Sequence, residues 1–219
     1  MLIRTIGVVA IATVFCAVHP TQAYAAVVYD EAVSGDFSDS GLSPTPISVA
    51  VGSNEIRGTT GRPGAVPDRD YFTITVPSGL VLSALTVLPG TMPGNLVSFI
   101  GLQAGNQVTL PVTTTTATGL LGYWLYGTSD INTDILDDMA RPANGSSGFS
   151  TPLGAGSYAF WVQEVNIPVS PYGFDIVLAA ATAVPEPTSI ASMMAGVVGL
   201  GLARRRRVKP QPGIVHLSN

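Results

Sequence analysis

The chain has few of the side chains that enzymes use most often as nucleophiles and bases. Its 219 residues include one cysteine and two histidines. Cys16 and His19 lie near the N-terminus and His216 near the C-terminus, so residues 27–183 contain neither type, and they contain no lysine. The missing imidazole excludes a Ser-His-Asp triad, and the missing thiol and amine exclude cysteine and Schiff-base catalysis. We therefore expect this region not to be an enzyme.

The same region also has few positive charges. Its four arginines stand against 13 acidic residues and give a net charge of −9, whereas the whole chain has −4. A surface this acidic repels nucleic acid and suits divalent cations and neutral partners. Disulfides and zinc sites built from cysteine and histidine are excluded as well. Stability must therefore come from a packed hydrophobic core.

The C-terminal residues form three consecutive segments. Val184, Pro185, Glu186 and Pro187 are followed by residues 188–203, which carry no charge. As a helix, the 14 uncharged residues at 190–203 would rise about 21 Å, which is short of a hydrocarbon core of about 30 Å. Four arginines end the segment and are expected to stay on the cytoplasmic side: Arg204, Arg205, Arg206 and Arg207. We predict a short transmembrane helix that leaves the preceding chain outside the cytoplasm.

In its order of motif, apolar run and arginines, the segment 184–207 resembles the PEP-CTERM sorting signal. The resemblance implies a precursor that is held in the inner membrane until an exosortase, a membrane-embedded cysteine enzyme, cleaves near the Pro-Glu-Pro. Such signals usually stop soon after the arginines, whereas this chain continues to Asn219. We expect residues 208–219 to be a disordered cytoplasmic stub.

The N-terminal residues have the layout of a secretory signal peptide. Arg4 precedes an apolar stretch, Ile6–Val18, and small residues follow. We predict a signal helix in residues 1–26, export through the secretion translocon, and cleavage next to one of three alanines. These are Ala23, Ala25 and Ala26.

Between the two ends, residues 27–183 show a β pattern throughout. Glycine and proline separate short runs rich in β-branched and aromatic residues, which indicates a single antiparallel β-sandwich of jelly-roll type in an all-β protein. The predicted strands are Ile47–Val51, Ile56–Thr59, Tyr71–Val76, Val81–Val87, Leu96–Leu102, Gln107–Thr113, Leu120–Tyr126, Ser157–Val165 and Tyr172–Ala179. The segment Ser157–Val162 is apolar enough to be buried on both faces.

Four short segments of this region are similar to the bacterial pre-peptidase C-terminal domain, a small β-sandwich of secreted proteins. They are Asn54–Gly58, Asp68–Ile74, Gly154–Tyr158 and Tyr172–Phe174. The resemblance implies a non-catalytic accessory module for binding or targeting, in some members with calcium.

Two groups of oxygen-bearing side chains are candidates for calcium ligation, because calcium takes six to eight oxygen ligands. Asp68 and Asp70 precede a predicted strand. Asp130, Asn132 and Asp134 have the spacing that opens an EF-hand loop, but the glycine and glutamate that complete such a loop are absent. We therefore reject an EF-hand. Each group fits either a looser calcium site or an ordinary acidic turn. No other cofactor is expected.

Two further alternatives concern polysaccharides. One candidate is an aromatic platform on which sugars stack, formed by Tyr123, Trp124, Tyr126 and Trp161. Aromatic residues at alternate strand positions, however, usually belong to the core. A carboxylate-based glycoside hydrolase would need a pair such as Glu164 with Asp175, or Asp137 with Asp138. We favour an exported surface or extracellular-matrix protein of biofilm or exopolysaccharide type, with a binding or structural role. A carbohydrate- or calcium-binding module is the first alternative and a hydrolase the second.

Overall fold

Alternating apolar residues build two β-sheets that face each other across one core. The structure is a computed structural model and describes residues 25–94 and 97–182. Its strands are β1 (Ala26–Asp30), β2 (Thr45–Pro46), β3 (Gly52–Thr60), β4 (Arg69–Val76), β5 (Leu80–Val87), β6 (Val97–Ala104), β7 (Gly122–Gly127), β8 (Gly156–Gln163) and β9 (Ser170–Ala180). Two one-turn helices are α1 (Glu31–Ser34) and α2 (Leu136–Met139). The predicted signal helix and transmembrane helix fall outside the described residues.

The strands form a four-stranded sheet in the order β1-β3-β9-β5 and a five-stranded sheet in the order β2-β4-β8-β6-β7. Pairing is antiparallel except at one edge of each sheet, where β1 runs parallel to β3 and β2 runs parallel to β4. The predicted all-β sandwich is confirmed. The chain divides into two units, 1–180 and 181–219, and the sandwich belongs to the first.

The core lies between the sheets and follows the period of two that strands impose. Phe72, Ile74 and Val76 of β4 all point into it, and Phe72 stacks on Phe160 of β8 with ring centroids 4.9 Å apart. From the other sheet, Phe174 meets Tyr126 edge to face at 5.2 Å. Burial of these large side chains supplies the hydrophobic stabilisation of a domain that has no disulfide.

The outer face of the five-stranded sheet is covered as well. Tyr71 and Trp161 project from this face and are packed by Val108 and Leu110 of the segment 105–121. The prediction that β8 is buried on both faces is therefore confirmed. Covering this face allows a strand with almost no polar side chain to lie inside a small domain.

Two predicted strands are wrong. The residues of Gln107–Thr113 form no strand because Thr109 is held by the side chain of Gln103, at 3.0 Å from its backbone N–H and 2.9 Å from its hydroxyl, and Pro111 has no N–H to donate. Ile47–Val51 contains no strand residue either, since the side chain of Asn54 bonds both backbone groups of Ala50 at 2.8 Å and replaces a ladder. The strand β1 was missed because its side chains are only partly buried.

Gly122 of β7 has no room for a side chain. A Cβ there would collide with the carbonyl oxygen of Met139 in α2 and would lie 3.0 Å from the Phe149 ring. We expect Gly122→Ala to lower the free energy of unfolding by about 2 kcal/mol, as overpacking of a rigid contact does. Chemical denaturation measures the effect. Gly154→Ala is the matched control because nothing lies within 4 Å of its Cβ, and an equal loss in both variants would contradict the prediction.

Among the residues that the structure describes, no helix is long and apolar enough to cross a membrane.

Candidate cation site

The segment after β1 brings two carboxylates to one end of the core. Asp30 caps α1 by accepting a hydrogen bond from Ala32 N–H at 3.0 Å, and Gly35, with φ of +92°, reverses the chain. Phe37 then returns into the core and stacks on Tyr29 at 4.3 Å. This aromatic pair fixes the loop that carries Glu31 and Asp36.

Glu31 is held in place by neighbouring N–H and hydroxyl groups. Its Oε2 accepts hydrogen bonds from the backbone N–H of Thr59 at 2.6 Å and from the Thr59 hydroxyl at 3.2 Å, and its Oε1 accepts one from Phe37 N–H at 3.1 Å. Gly58 makes the space that this arrangement needs. A Cβ at position 58 would lie 2.6 Å from the Tyr172 hydroxyl and 3.0 Å from the Glu31 carboxyl carbon.

Asp70 is the buried member of the site. It lies on the inward-facing series of β4 with Phe72 and Ile74, and none of its surface is exposed to solvent. Neither carboxylate oxygen has a hydrogen-bond partner among the described residues, and the buried Tyr172 hydroxyl also lacks one there. Buried polar groups in folded proteins are almost always paired, so Asp70 and Tyr172 are candidates for pairing with each other, with water or with a ligand.

The three carboxylates come together. One oxygen each from Glu31, Asp36 and Asp70 lies within 4.8 Å of the other two. Glu31 and Asp36 open into a pocket of about 510 Å³, which Arg57, Asp68 and Tyr172 also line, whereas Asp70 is not among its lining residues. No ion pair in the described part of the chain neutralises any of these carboxylates, since its two salt bridges involve other acids.

This environment raises the pKa of each buried acid. Burial, followed by the charge of Glu31, raises the pKa of Asp70 to about 9, although the Tyr172 hydroxyl acts in the opposite direction. Burial also raises the pKa of Glu31 to about 7, against the lowering effect of its hydrogen bonds from Phe37 and Thr59. The pKa of Asp68 is raised to about 6 by burial and by the charges of Asp36 and Asp39. Near neutral pH these acids therefore favour a bound proton or a neighbouring positive charge.

The donor set suits a hard divalent cation. Carboxylate, hydroxyl and water oxygens are the ligands of calcium, and the pocket has room for the waters that complete six to eight ligands. The group contains no nitrogen or sulfur ligand, so it does not match the preference of zinc or copper.

Of the calcium ligands predicted from sequence, the structure places Asp68 in the lining of this pocket and Asp70 in the three-carboxylate group. Asp130 and Asp134 lie elsewhere and hold the backbone. Asp130 accepts from Gly127 N–H at 2.6 Å, and Asp134 accepts from the N–H groups of Leu85 and Leu136 at 2.9 Å. Asn132 takes a positive φ of 65° in the same turn. The structure does not join these three residues to the three-carboxylate group.

Sequence reasoning missed Glu31 and Asp36. No motif spacing marks them, because their ligand geometry depends on the parallel pairing of β1 with β3 and on the turn at Gly35. The only available signal was their position directly after the predicted signal peptide, in a segment with few other features.

The comparisons with known proteins concern the other end of the chain. Residues 183–207 match the family model of the PEP-CTERM protein-sorting motif. The chain carries a PEP-CTERM sorting signal. The residues predicted for recognition and topology, 184–187 and 204–207, fall inside the match and outside the described residues.

The PEP-CTERM signal makes the protein an exported, exosortase-sorted one whose precursor is anchored in the membrane. No curated protein and no solved structure matches the chain. The similarity of the body to the pre-peptidase C-terminal domain therefore stays a prediction.

The residues considered for sugar binding or hydrolysis differ in how far they are buried and hydrogen-bonded. Tyr126 and Trp161 are buried, whereas Tyr123 and Trp124 are half-buried. In one of the two candidate acid pairs both carboxylates accept hydrogen bonds: Asp175 accepts from Ser53 Oγ at 2.6 Å, and Glu164 Oε1 accepts from two backbone N–H groups.

Proposed function

We propose that the exported sandwich binds calcium in the pocket of Glu31, Asp36 and Asp70, and that it works as a non-catalytic surface or matrix protein. The observation that carries the proposal is Asp70. Its carboxylate is fully buried, has no partner among the described residues, and faces two further carboxylates within 4.8 Å. A divalent cation would offset the charge that burial otherwise penalises.

Calcium is the cation that fits both the ligands and the compartment. The pocket offers oxygens from separate loops and strands, and such an irregular set suits the flexible coordination of calcium better than the strict octahedron of magnesium. Outside the cytoplasm calcium is abundant, so a site of the extracellular class, with a dissociation constant of about 10⁻⁴ to 10⁻³ M, would be occupied there.

The cation would stabilise the start of the sandwich. Glu31 and Asp36 belong to the first described elements, whereas Asp70 belongs to the five-stranded sheet. One ion between them would fasten the N-terminal loop to the body after export. A protein stabilised in this way needs no disulfide to persist at the cell surface, in contact with the exopolysaccharide or biofilm matrix.

A hydrolytic role is less well supported. Two acids with raised pKa values side by side also occur in enzymes. Here, however, the carboxyl with the higher pKa is closed off from solvent, and Glu31 is occupied by three hydrogen bonds. We therefore keep the proposal non-catalytic.

Calorimetric titration of the full chain in lipid nanodiscs with calcium chloride tests the proposal. We expect one calcium per chain, and we expect Asp70→Asn to weaken binding at least about tenfold because it removes the central ligand charge. Asp138→Asn is the matched control, since it removes the same charge from an acid that pairs with Arg141 outside the pocket. Equal binding by Asp70→Asn and the parent would refute the assignment.

A further inference from the structure

A second cavity lies on the outer face of the five-stranded sheet. It has a volume of about 290 Å³, close to the lower end of small-molecule sites. One wall is the sheet, with Phe99 of β6, Tyr123 of β7 and Gln163 of β8. The other wall comes from the covering segment, through Thr114–Thr116, and from Asn144. We call this cavity the threonine groove.

The threonine groove is electrically neutral in an acidic protein. None of the side chains that line it carries a charge, although the region 27–183 has a net charge of −9. Anionic ligands would be repelled by the body, and cations would find no carboxylate in the groove. An uncharged ligand is the class that this surface accepts without an electrostatic cost.

Some polar groups of its lining nevertheless have no hydrogen-bond partner among the described residues. The Gln163 carbonyl oxygen accepts from Arg69 Nε at 3.0 Å, which leaves the amide N–H₂ of Gln163 without a partner among the described residues. Asn144 donates to the Thr115 carbonyl at 3.1 Å and keeps its own oxygen. A wholly apolar ligand would leave these groups unpaired.

Aromatic rings supply the apolar part of the lining. Phe99 and Tyr123 are half-buried and stacked, with ring centroids 5.9 Å apart and planes inclined by 23°. Gly101 makes room for this arrangement, because a Cβ there would lie 2.9 Å from the Phe99 ring. Rings that combine a large apolar face with polar neighbours suit ligands that are themselves apolar on one side and hydroxylated at the edges.

From these observations we propose that the threonine groove binds a neutral glycan. A sugar ring has C–H faces for Phe99 and Tyr123 and hydroxyl groups for the amides of Asn144 and Gln163. The groove shares no lining residue with the calcium pocket. The two proposals are therefore independent, and either can fail without the other.

The test uses the indole N–H signals of the two tryptophans by NMR, in the full chain in nanodiscs. The probes are uncharged hexasaccharides of glucose, mannose and xylose. Trp161 lines the threonine groove and Trp124 does not, so Trp124 is the internal control. We expect one neutral oligosaccharide to shift the Trp161 signal saturably, at about millimolar concentration or below.

Variants of Tyr123 separate recognition from folding. Tyr123→Ala should weaken binding at least about tenfold, whereas Tyr123→Phe keeps the ring and should bind within about threefold of the parent. The unliganded spectrum shows whether each variant is folded. Failure of all three neutral probes to move Trp161, or tighter binding of an uncharged long-chain alcohol, overturns the proposal.

Discussion

Replacing Pro185, Glu186 and Pro187 by alanine is expected to reduce the released protein to background and to leave the full-length chain in the membrane fraction. Proline fixes φ and disfavours helix in the residue before it, and a protease requires an extended substrate, so we expect the two prolines to favour cleavage. Alanine has the highest helix propensity and would remove this preference. Fractionation followed by immunoblotting of the body measures the effect.

The matched control for this variant is Pro210→Ala with Pro212→Ala. These prolines lie beyond the arginines and outside the PEP-CTERM motif, which ends at residue 207. The control should be released like the parent protein. Normal release of the triple-alanine variant would show that the Pro-Glu-Pro is not the processing determinant.

The calcium-free protein is expected to lose about 3 kcal/mol or more of its stability as the pH rises from about 4 to about 9. The pKa of Asp70 is raised from 3.8 to about 9 and that of Glu31 from 4.5 to about 7, so between these values the folded chain binds more protons than the unfolded chain. Stability contributed by such groups is complete below pH 4 and is lost as they ionise. The magnitude is that of leaving a charge buried without a partner. Denaturant titrations across this pH range provide the measurement.

Calcium should reverse this loss, because it binds the deprotonated carboxylates and its stabilising effect grows with pH. At a hundred times its dissociation constant, it should add about 2.7 kcal/mol. Asp70→Asn should reduce the pH dependence and remove at least about half of the calcium effect, while Asp138→Asn should change neither. A calcium-free protein whose stability rises between pH 5 and 9 would show that Asp70 is not a buried acid.

Features that depend on local interactions could be predicted from the sequence, whereas features that depend on contacts between distant residues could not. The apolar pattern of Tyr71–Val76 predicted a strand, and in the structure its residues Phe72, Ile74 and Val76 belong to the core. Extending the same phase by two residues places Asp70 inside as well, a consequence that only the structure made evident. A carboxylate in phase with a core series is a signal that sequence reading can use in other proteins.

The rest of the site could not have been read from local pattern. Glu31 and Thr59 are 28 residues apart and meet only because β1 joins the sheet in parallel beside β3. A parallel edge has no hairpin turn to announce it. Likewise, Asp134 looked like a ligand in its EF-hand-like spacing, but its oxygen is used to hold Leu85 and Leu136. A short carboxylate spacing does not distinguish a metal ligand from a residue that caps the backbone.

An anomalous difference map from crystals of the protein grown with calcium would show directly whether the cation binds. We predict a peak between Glu31, Asp36 and Asp70, with carboxylate oxygens at about 2.3 to 2.6 Å from the ion. A map with no peak between these carboxylates at saturating calcium and pH 8, while Asp70 is still buried, would contradict this prediction.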